Sequence, residues 1–247
     1  MKSPFCAIAV LLVMLGILAP PLTSPAQATS ALVISQVYGG GGNSGATYTN
    51  DYIELFNRGA TSVSLANLSV QYASATGTGN FGFNSTAITL LPSVFLLPDH
   101  YFLIQEDQGA GGTTPLPTPD VTDPTPIAIS ATGAKVALVN STASLGCNGS
   151  VGQPCSAAQL ALIIDLVGWG SANFFEGAAA GPATNNTTAL FRKGGGLIDT
   201  DNNSTDFSIG APDPRNTSVP APATLLLLGS GFAGLSGIAW RRNRNKT

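Results

Sequence analysis

Thirteen carboxylates and a single histidine set the chemical repertoire of this 247-residue chain. Asp199, Asp201 and Asn203 alternate along one acidic stretch, a spacing that can aim three oxygens at one hard cation such as Ca2+. Ser204 stands where such loops need glycine, and no glutamate follows to close the coordination shell. The competing reading is an Asx turn, in which these side chains satisfy their own backbone. His100 follows Pro98 and Asp99 in an expected turn, with no serine or acid pattern around it. Nucleophile-elbow, zinc-protease and Cys/His metal motifs do not occur. Residues 39–42 are four glycines after an apolar run, but the lysine of a phosphate loop is missing, so they read as a flexible hairpin loop. No catalytic residue and no cofactor is therefore expected, with Ca2+ the one candidate ligand.

Two further sets of side chains invite a role. Glu54 lies inside an expected strand and reads as a structural carboxylate paired with Arg58 or Arg192. Tyr52, Phe56, Trp169, Phe174, Phe175, Phe191 and Phe207 could stack on a sugar, although aromatics on alternate strand positions otherwise form core. Trp169, set between Gly168 and Gly170, is expected to be the exposed one.

The elements that must position these groups read as strands. Residues 31–38 alternate, with Leu32, Ile34 and Tyr38 on one face and Val33, Ser35 and Val37 on the other. Further strands are expected at 52–57, 63–65, 68–72, 88–97, 101–105, 162–167 and 188–192. Residues 127–130 and 135–140 should pair through a turn at Thr132 and Gly133. Residues 76–84 read as a Gly-rich loop and 106–126 as an exposed one. No helical periodicity appears between 29 and 219. Short strands punctuated by Gly, Pro and Asn define an all-β sandwich or barrel.

The two ends read differently. Lys2, an apolar run over 7–18, Pro20 and Pro21, then Ala26 and Ala28, make a secretory signal peptide over 1–28, with cleavage before Thr29. At the other end, residues 223–240 are apolar enough for a membrane helix, and Arg241, Arg242, Arg244 and Lys246 would hold its far end in the cytoplasm. Between them, thirteen acids against five bases leave a net charge of −8. That removes the electrostatic basis for nucleic-acid binding. Cys6 falls in the leader. Cys147 and Cys155 remain and are expected to form a disulfide, ahead of a metal pair or a catalytic thiol.

Three stretches in order resemble the lamin-tail domain family. They are Val33 to Val37 with Asp51 to Gly59, then Leu96 to Ile104, then Ala189 to Arg192 with the run from Asp199 to Asn216. Gln36 replaces a common Glu of that family, and Asp99 a common Gly. The resemblance implies an immunoglobulin-like β-sandwich over 29–218. Val219, Pro220, Ala221 and Pro222, followed by Ala223, Thr224 and the leucines up to Gly229, resemble the PEP-CTERM sorting signal of Gram-negative bacteria, with Ala221 in place of its Glu. That resemblance implies cleavage near Pro220 to Pro222 by an exosortase, and passage from the inner membrane to the cell surface or extracellular matrix. The expected partners are signal peptidase, the exosortase, the membrane and an exopolysaccharide or surface protein, with no nucleic acid. The reading is a non-catalytic surface module for adhesion or binding. An accessory module of a secreted nuclease or phosphatase system, and a Ca2+-dependent binding module, are the alternatives. A single sandwich leaves no room for a catalytic domain in 29–218.

Overall fold

The structure is a computed structural model that describes residues 30–219. The expected leader, its cleavage point, Pro220, Ala221, Pro222, the segment 223–240, Arg241 and Arg242 lie outside the described residues. Among the described residues no helix is long and apolar enough to cross a membrane.

Twelve strands carry the fold: β1 (Leu32–Tyr38), β2 (Asn50–Asn57), β3 (Val63–Ser64), β4 (Ser69–Ser74), β5 (Ile88–Leu90), β6 (Phe95–Leu96), β7 (Tyr101–Gln108), β8 (Val121–Thr122), β9 (Ala134–Val139), β10 (Ile163–Gly168), β11 (Ala189–Arg192) and β12 (Phe207–Gly210). They form a six-stranded sheet in the order β12-β11-β1-β2-β7-β8, a four-stranded sheet β10-β9-β4-β5, and a ribbon β3-β6. Every pairing is antiparallel except β7 with β8. The two short helices are α1 (Ala157–Leu160), closed by a Ser156–Gln159 capping box, and α2 (Asn203–Asp206).

Alternation places one face of each sheet in a shared core. Ile34, Ile53, Leu55, Phe102 and Ile104 of the large sheet meet Val70, Val136, Leu138 and Val167 of the small one. The result is an all-β sandwich. The outer faces are covered too, which is why β1 and β2 are buried along their whole length. Phe81, Leu145 and the Cys147 loop lie over β4, β9 and β10. Tyr38, Tyr52 and Leu103, and separately Val33, Phe56 and Tyr101, form small clusters on the back of the large sheet.

Four expectations need correction. A bulge between Ile34 and Gln36 inserts one extra residue into β1 and reverses its alternation. Val37 therefore joins Leu32 and Ile34 in the main core, while Tyr38 turns to the back. Residues 127–130 are not a strand. The Ile127 and Ile129 amides donate to the carboxylates of Glu106 and Asp51, both at 2.8 Å, so side chains take the place of a ladder and β9 pairs with β4 and β10 instead. The glycines at 39–42 are buried and tightly crossed by other backbone: a Cβ on Gly41 would lie 1.9 Å from the Asn50 carbonyl carbon. Their role is close approach, with no freedom of movement implied. Finally, residues 106–108 belong to β7 and Glu106 is buried, so the exposed loop begins later than expected.

Cys147 and Cys155 form a disulfide with Cα atoms 5.1 Å apart. Its loop carries Asn148, whose amide donates to the Gly77 and Gly79 carbonyls and whose own carbonyl takes the buried Lys135 ammonium at 3.0 Å. Cys147→Ser is expected to cost about 2–3 kcal/mol by the loop-entropy model. Urea denaturation with and without reductant checks this. Wild-type stability unchanged by reduction would refute it.

Candidate functional site

Two polar constellations occupy the fold, and both start at β1. The first centres on Arg192 at the end of β11. The bulge in β1 leaves the Ile34 peptide without ordinary ladder partners on its outer side. Asp165 of β10 accepts from the Ile34 amide at 2.6 Å, and Arg192 Nε donates to the Ile34 carbonyl at 3.0 Å. Arg192 Nη2 then bonds both oxygens of Asp165, at 2.7 and 2.8 Å, and Nη1 bonds Asp199 at 2.7 Å. Arg58 Nη1 reaches the other Asp199 oxygen at 2.9 Å. The Arg192 guanidinium lies over the Phe207 ring, 4.5 Å from its centroid. This buried ion network ties β1 and β11 of one sheet to β10 of the other.

Asp165, Glu176 and Asp199 each bring one oxygen within 4.8 Å of the others, a separation a metal ion could bridge. The cation they face is Arg192, already bonded to two of them, so the arrangement works as an ion-pair staple. Of the three residues read as a calcium loop, Asp199 gives one oxygen to each arginine. Asn203 accepts from the Gly168 amide at 2.8 Å and donates to the Leu166 carbonyl at 2.9 Å, which wedges α2 against β10. Asp201 sits at φ 52°, a turn position. Asp206, the last acid of the same stretch, takes the Thr200 and Asn202 amides at 2.7 and 3.2 Å. Burial opposes its ionisation, but these hydrogen bonds outweigh that and hold its carboxyl below the usual range.

Several carboxyls are pushed the other way, most strongly the buried Asp51 and Glu106 and the half-buried Glu176. Desolvation raises Asp51 and Glu106 each to about 8, and desolvation with neighbouring Asp165 raises Glu176 to about 9. The native state therefore holds these protons more tightly than the unfolded chain. Their stabilisation is fully present below the ordinary carboxyl range and is lost as pH rises through 8 to 9. Lys135, lowered to about 8 by burial, gives the opposite slope only above that pH. Thermal unfolding should show a Tm at least about 5 °C lower at pH 9 than at pH 5. Glu106→Gln should flatten the fall. A Tm that climbs between pH 5 and 9 would contradict these assignments.

The second constellation is a strap, residues 211–218, laid across the back of the large sheet. Gln36 turns its side-chain amide on Asp213 as a strand residue would turn its peptide, donating to the carbonyl at 2.8 Å and accepting from the amide at 3.0 Å. Glu54, fully buried, accepts from the Arg215 amide at 2.7 Å, from Nε at 3.1 Å and from Nη2 at 2.7 Å. The Arg215 guanidinium stacks 3.7 Å from the Tyr101 ring centroid. Asn216 donates to the Thr118 carbonyl, and Thr217 bonds Asp120. Glu54 thus pairs with Arg215 and with neither Arg58 nor Arg192, whose partners are Asp165 and Asp199. The resemblance to the lamin-tail pattern leads to Glu at position 36, and the local geometry favours Gln there. A carboxylate there could not donate to Asp213, and it would add a second negative charge where the Gln36 amide nitrogen lies 3.5 Å from Glu54.

The aromatic residues do not assemble into a sugar platform. Trp169 is 1% exposed and donates to Thr184 at 3.0 Å. Its glycine neighbours serve close backbone contact instead: a Cβ on Gly168 would meet the Phe174 carbonyl at 2.3 Å, and one on Gly170 the Thr132 carbonyl at 2.4 Å. Tyr52 packs with Tyr38, Phe56 with Tyr101, and Phe174 with Phe81. His100 is half-buried in its turn, with Nδ1 2.8 Å from the Pro98 carbonyl oxygen.

A twice-stapled sandwich whose last described residues are pinned to its back defines a covered β module. A model of the Lamin Tail Domain matches residues 25–202, and a model of the PEP-CTERM protein-sorting motif matches residues 218–244. The chain belongs to the lamin tail domain family and carries that sorting motif behind the domain. β12 and the strap lie beyond the family match, yet they complete the large sheet and cover it. No curated protein matches the chain in sequence. Among solved structures it is similar to a DUF4876 family protein from Bacteroides thetaiotaomicron, at 13% identity and TM-score 0.45, over 80% of this chain and 75% of that one. A likeness at that level carries no weight for the fold or the function here.

Proposed function

We propose that this is an exported, non-catalytic module of immunoglobulin-like type, displayed on the surface or in the extracellular matrix of a Gram-negative bacterium. Signal peptidase would remove residues 1–28. Residues 223–240 would enter the inner membrane as a helix, with Arg241, Arg242, Arg244 and Lys246 on the cytoplasmic side. An exosortase would cut near Pro220, Ala221 and Pro222 and release the sandwich to bind an exopolysaccharide or another surface protein.

The observation that carries this reading is the strap. The sorting motif begins at residue 218, directly after a segment locked to the sandwich by Glu54, Gln36 and Asp120. The domain is thus folded up to the edge of the signal, and the protease would meet an extended Pro-containing link instead of loose domain chain. In the native host, fractionation should yield a membrane-held precursor and a shorter released form beginning at Thr29. Replacing Arg241, Arg242, Arg244 and Lys246 with serine should deplete both. A full-length chain that is never membrane-associated would sink the proposal. The binding role is read separately, by exposing the released form to a glycan and matrix-polysaccharide screen.

A further inference from the structure

Phe95 is the most exposed aromatic side chain among the described residues, at 70%, and Leu97 beside it is 54% exposed. Both stand on the β3-β6 ribbon or directly after it, outside the two main sheets. Together with Val94 they rim an open groove of ≈ 430 Å³, floored by Leu96 and Phe102. Its polar lining is His100, Asp120 and Thr217. The hydrogen bonds between Asp120 and Thr217 are the final anchor of the strap, so the groove lies where the chain leaves the domain. An exposed apolar cluster of this kind in an acid-rich domain calls for a partner surface.

We propose that this face rests on the outer leaflet of the membrane that holds the tail, with Phe95 and Leu97 set into the boundary between headgroups and acyl chains. The inference rests on the tail entering the membrane as described above. Chain length then fixes the placement. Only Pro220, Ala221 and Pro222 separate Val219 from the apolar segment that begins at Ala223. Four extended steps reach at most about 14 Å. The headgroup layer of one leaflet takes up roughly 5–8 Å of that. The domain surface around Val219 is therefore held against the bilayer, and the apolar groove beside Thr217 is part of that surface. No lysine or arginine lines the groove, whose polar lining is His100, Asp120 and Thr217, and the domain carries a net charge of −8, so the contact rests on Val94, Phe95 and Leu97 and should survive high salt. Such a contact would hold the link at a constant height above the membrane for a membrane-embedded protease.

The test uses the full chain in phosphatidylethanolamine–phosphatidylglycerol vesicles, with an environment-sensitive fluorophore on Phe95→Cys. Ile209→Cys is the control. Ile209 is also half exposed, but β12 lies four strands from β7, roughly 19 Å across the sheet. Tail insertion is read independently from quenching of Trp240 by brominated lipid, taken by difference from Trp240→Phe. A spin-labelled lipid should quench the probe at 95 at least about threefold more than the probe at 209, at low and high salt alike. Equal quenching at 95 and 209 while Trp240 is quenched overturns this proposal and leaves the membrane tail standing. An unquenched Trp240 overturns both. A probe at 95 already shielded without lipid, with emission that depends on protein concentration, assigns the face to a second copy of the chain and overturns the membrane assignment.

Discussion

Arg192→Met is expected to lower the stability of the sandwich by about 3–5 kcal/mol, the cost of leaving a buried ion pair with one partner. The side chain is fully buried, and its four donated hydrogen bonds disappear with it. Asp165 would keep its place in the interior with only the Ile34 amide to neutralise it, and Asp199 would retain Arg58 alone. Methionine has nearly the right length to fill the space above Phe207, so the loss measures charge and hydrogen bonding more than a cavity. Arg192→Lys should recover little, because one ammonium cannot reach the Ile34 carbonyl, Asp165 and Asp199 together. Urea unfolding monitored by far-UV circular dichroism gives the number. A loss below about 1 kcal/mol would mean that the network is only geometrical and does not hold the sheets together.

The same network shows where reading the sequence succeeds and where it stops. β2 and β7 are legible because each is a short run rich in aromatic and branched apolar residues with turn residues at its ends, and both signals are local. Arg58, Arg192 and Asp199 stand out individually in the sequence, but their pairing does not. Glu54 was assigned to Arg58 or Arg192, whereas its partner Arg215 is 161 residues away and comes from a segment with no strand pattern at all. Nothing in the spacing of charges ranks one distant arginine above another. Trp169 shows the opposite failure. Its flanking glycines suggest exposure, but what they allow is the approach of residues 132–133 and 174 on either side. The bulge at Ser35 carries no glycine or proline to announce it, and it decides which half of β1 faces the core. Residues 127–130 look like a strand in composition, yet two buried carboxylates claim their amides. For Glu54 and for residues 127–130 the deciding contact is long-range in sequence, so no local pattern encodes it. Asp165 and Glu176 were missed for the same reason, since neither belongs to a motif until β10 meets the loop after it.

Removing Glu54 should have the largest effect that bears on function. Glu54→Ala is expected to cost about 3–5 kcal/mol, because the Arg215 guanidinium and amide lose their shared acceptor while packed against Tyr101. The loss should be concentrated in one place. Gln36 and Asp120 would each still hold one end of the strap, but its middle would lift and uncover Tyr101 on the back of the sheet. Trypsin provides a direct reading, because the peptide bond after Arg215 is a potential cut site protected while that side chain is clamped. In the wild-type domain this bond should be cleaved slowly, and in Glu54→Ala much faster. Glu54→Gln should fall between them, keeping an acceptor for the Arg215 amide but no charge for its guanidinium. If the strap also presents the sorting link, Glu54→Ala should raise the proportion of miscut or degraded protein in the host relative to the normal released form. Cleavage after Arg215 at the same rate in both proteins, with stability changed by less than about 1 kcal/mol, would show that the strap is held by something other than Glu54.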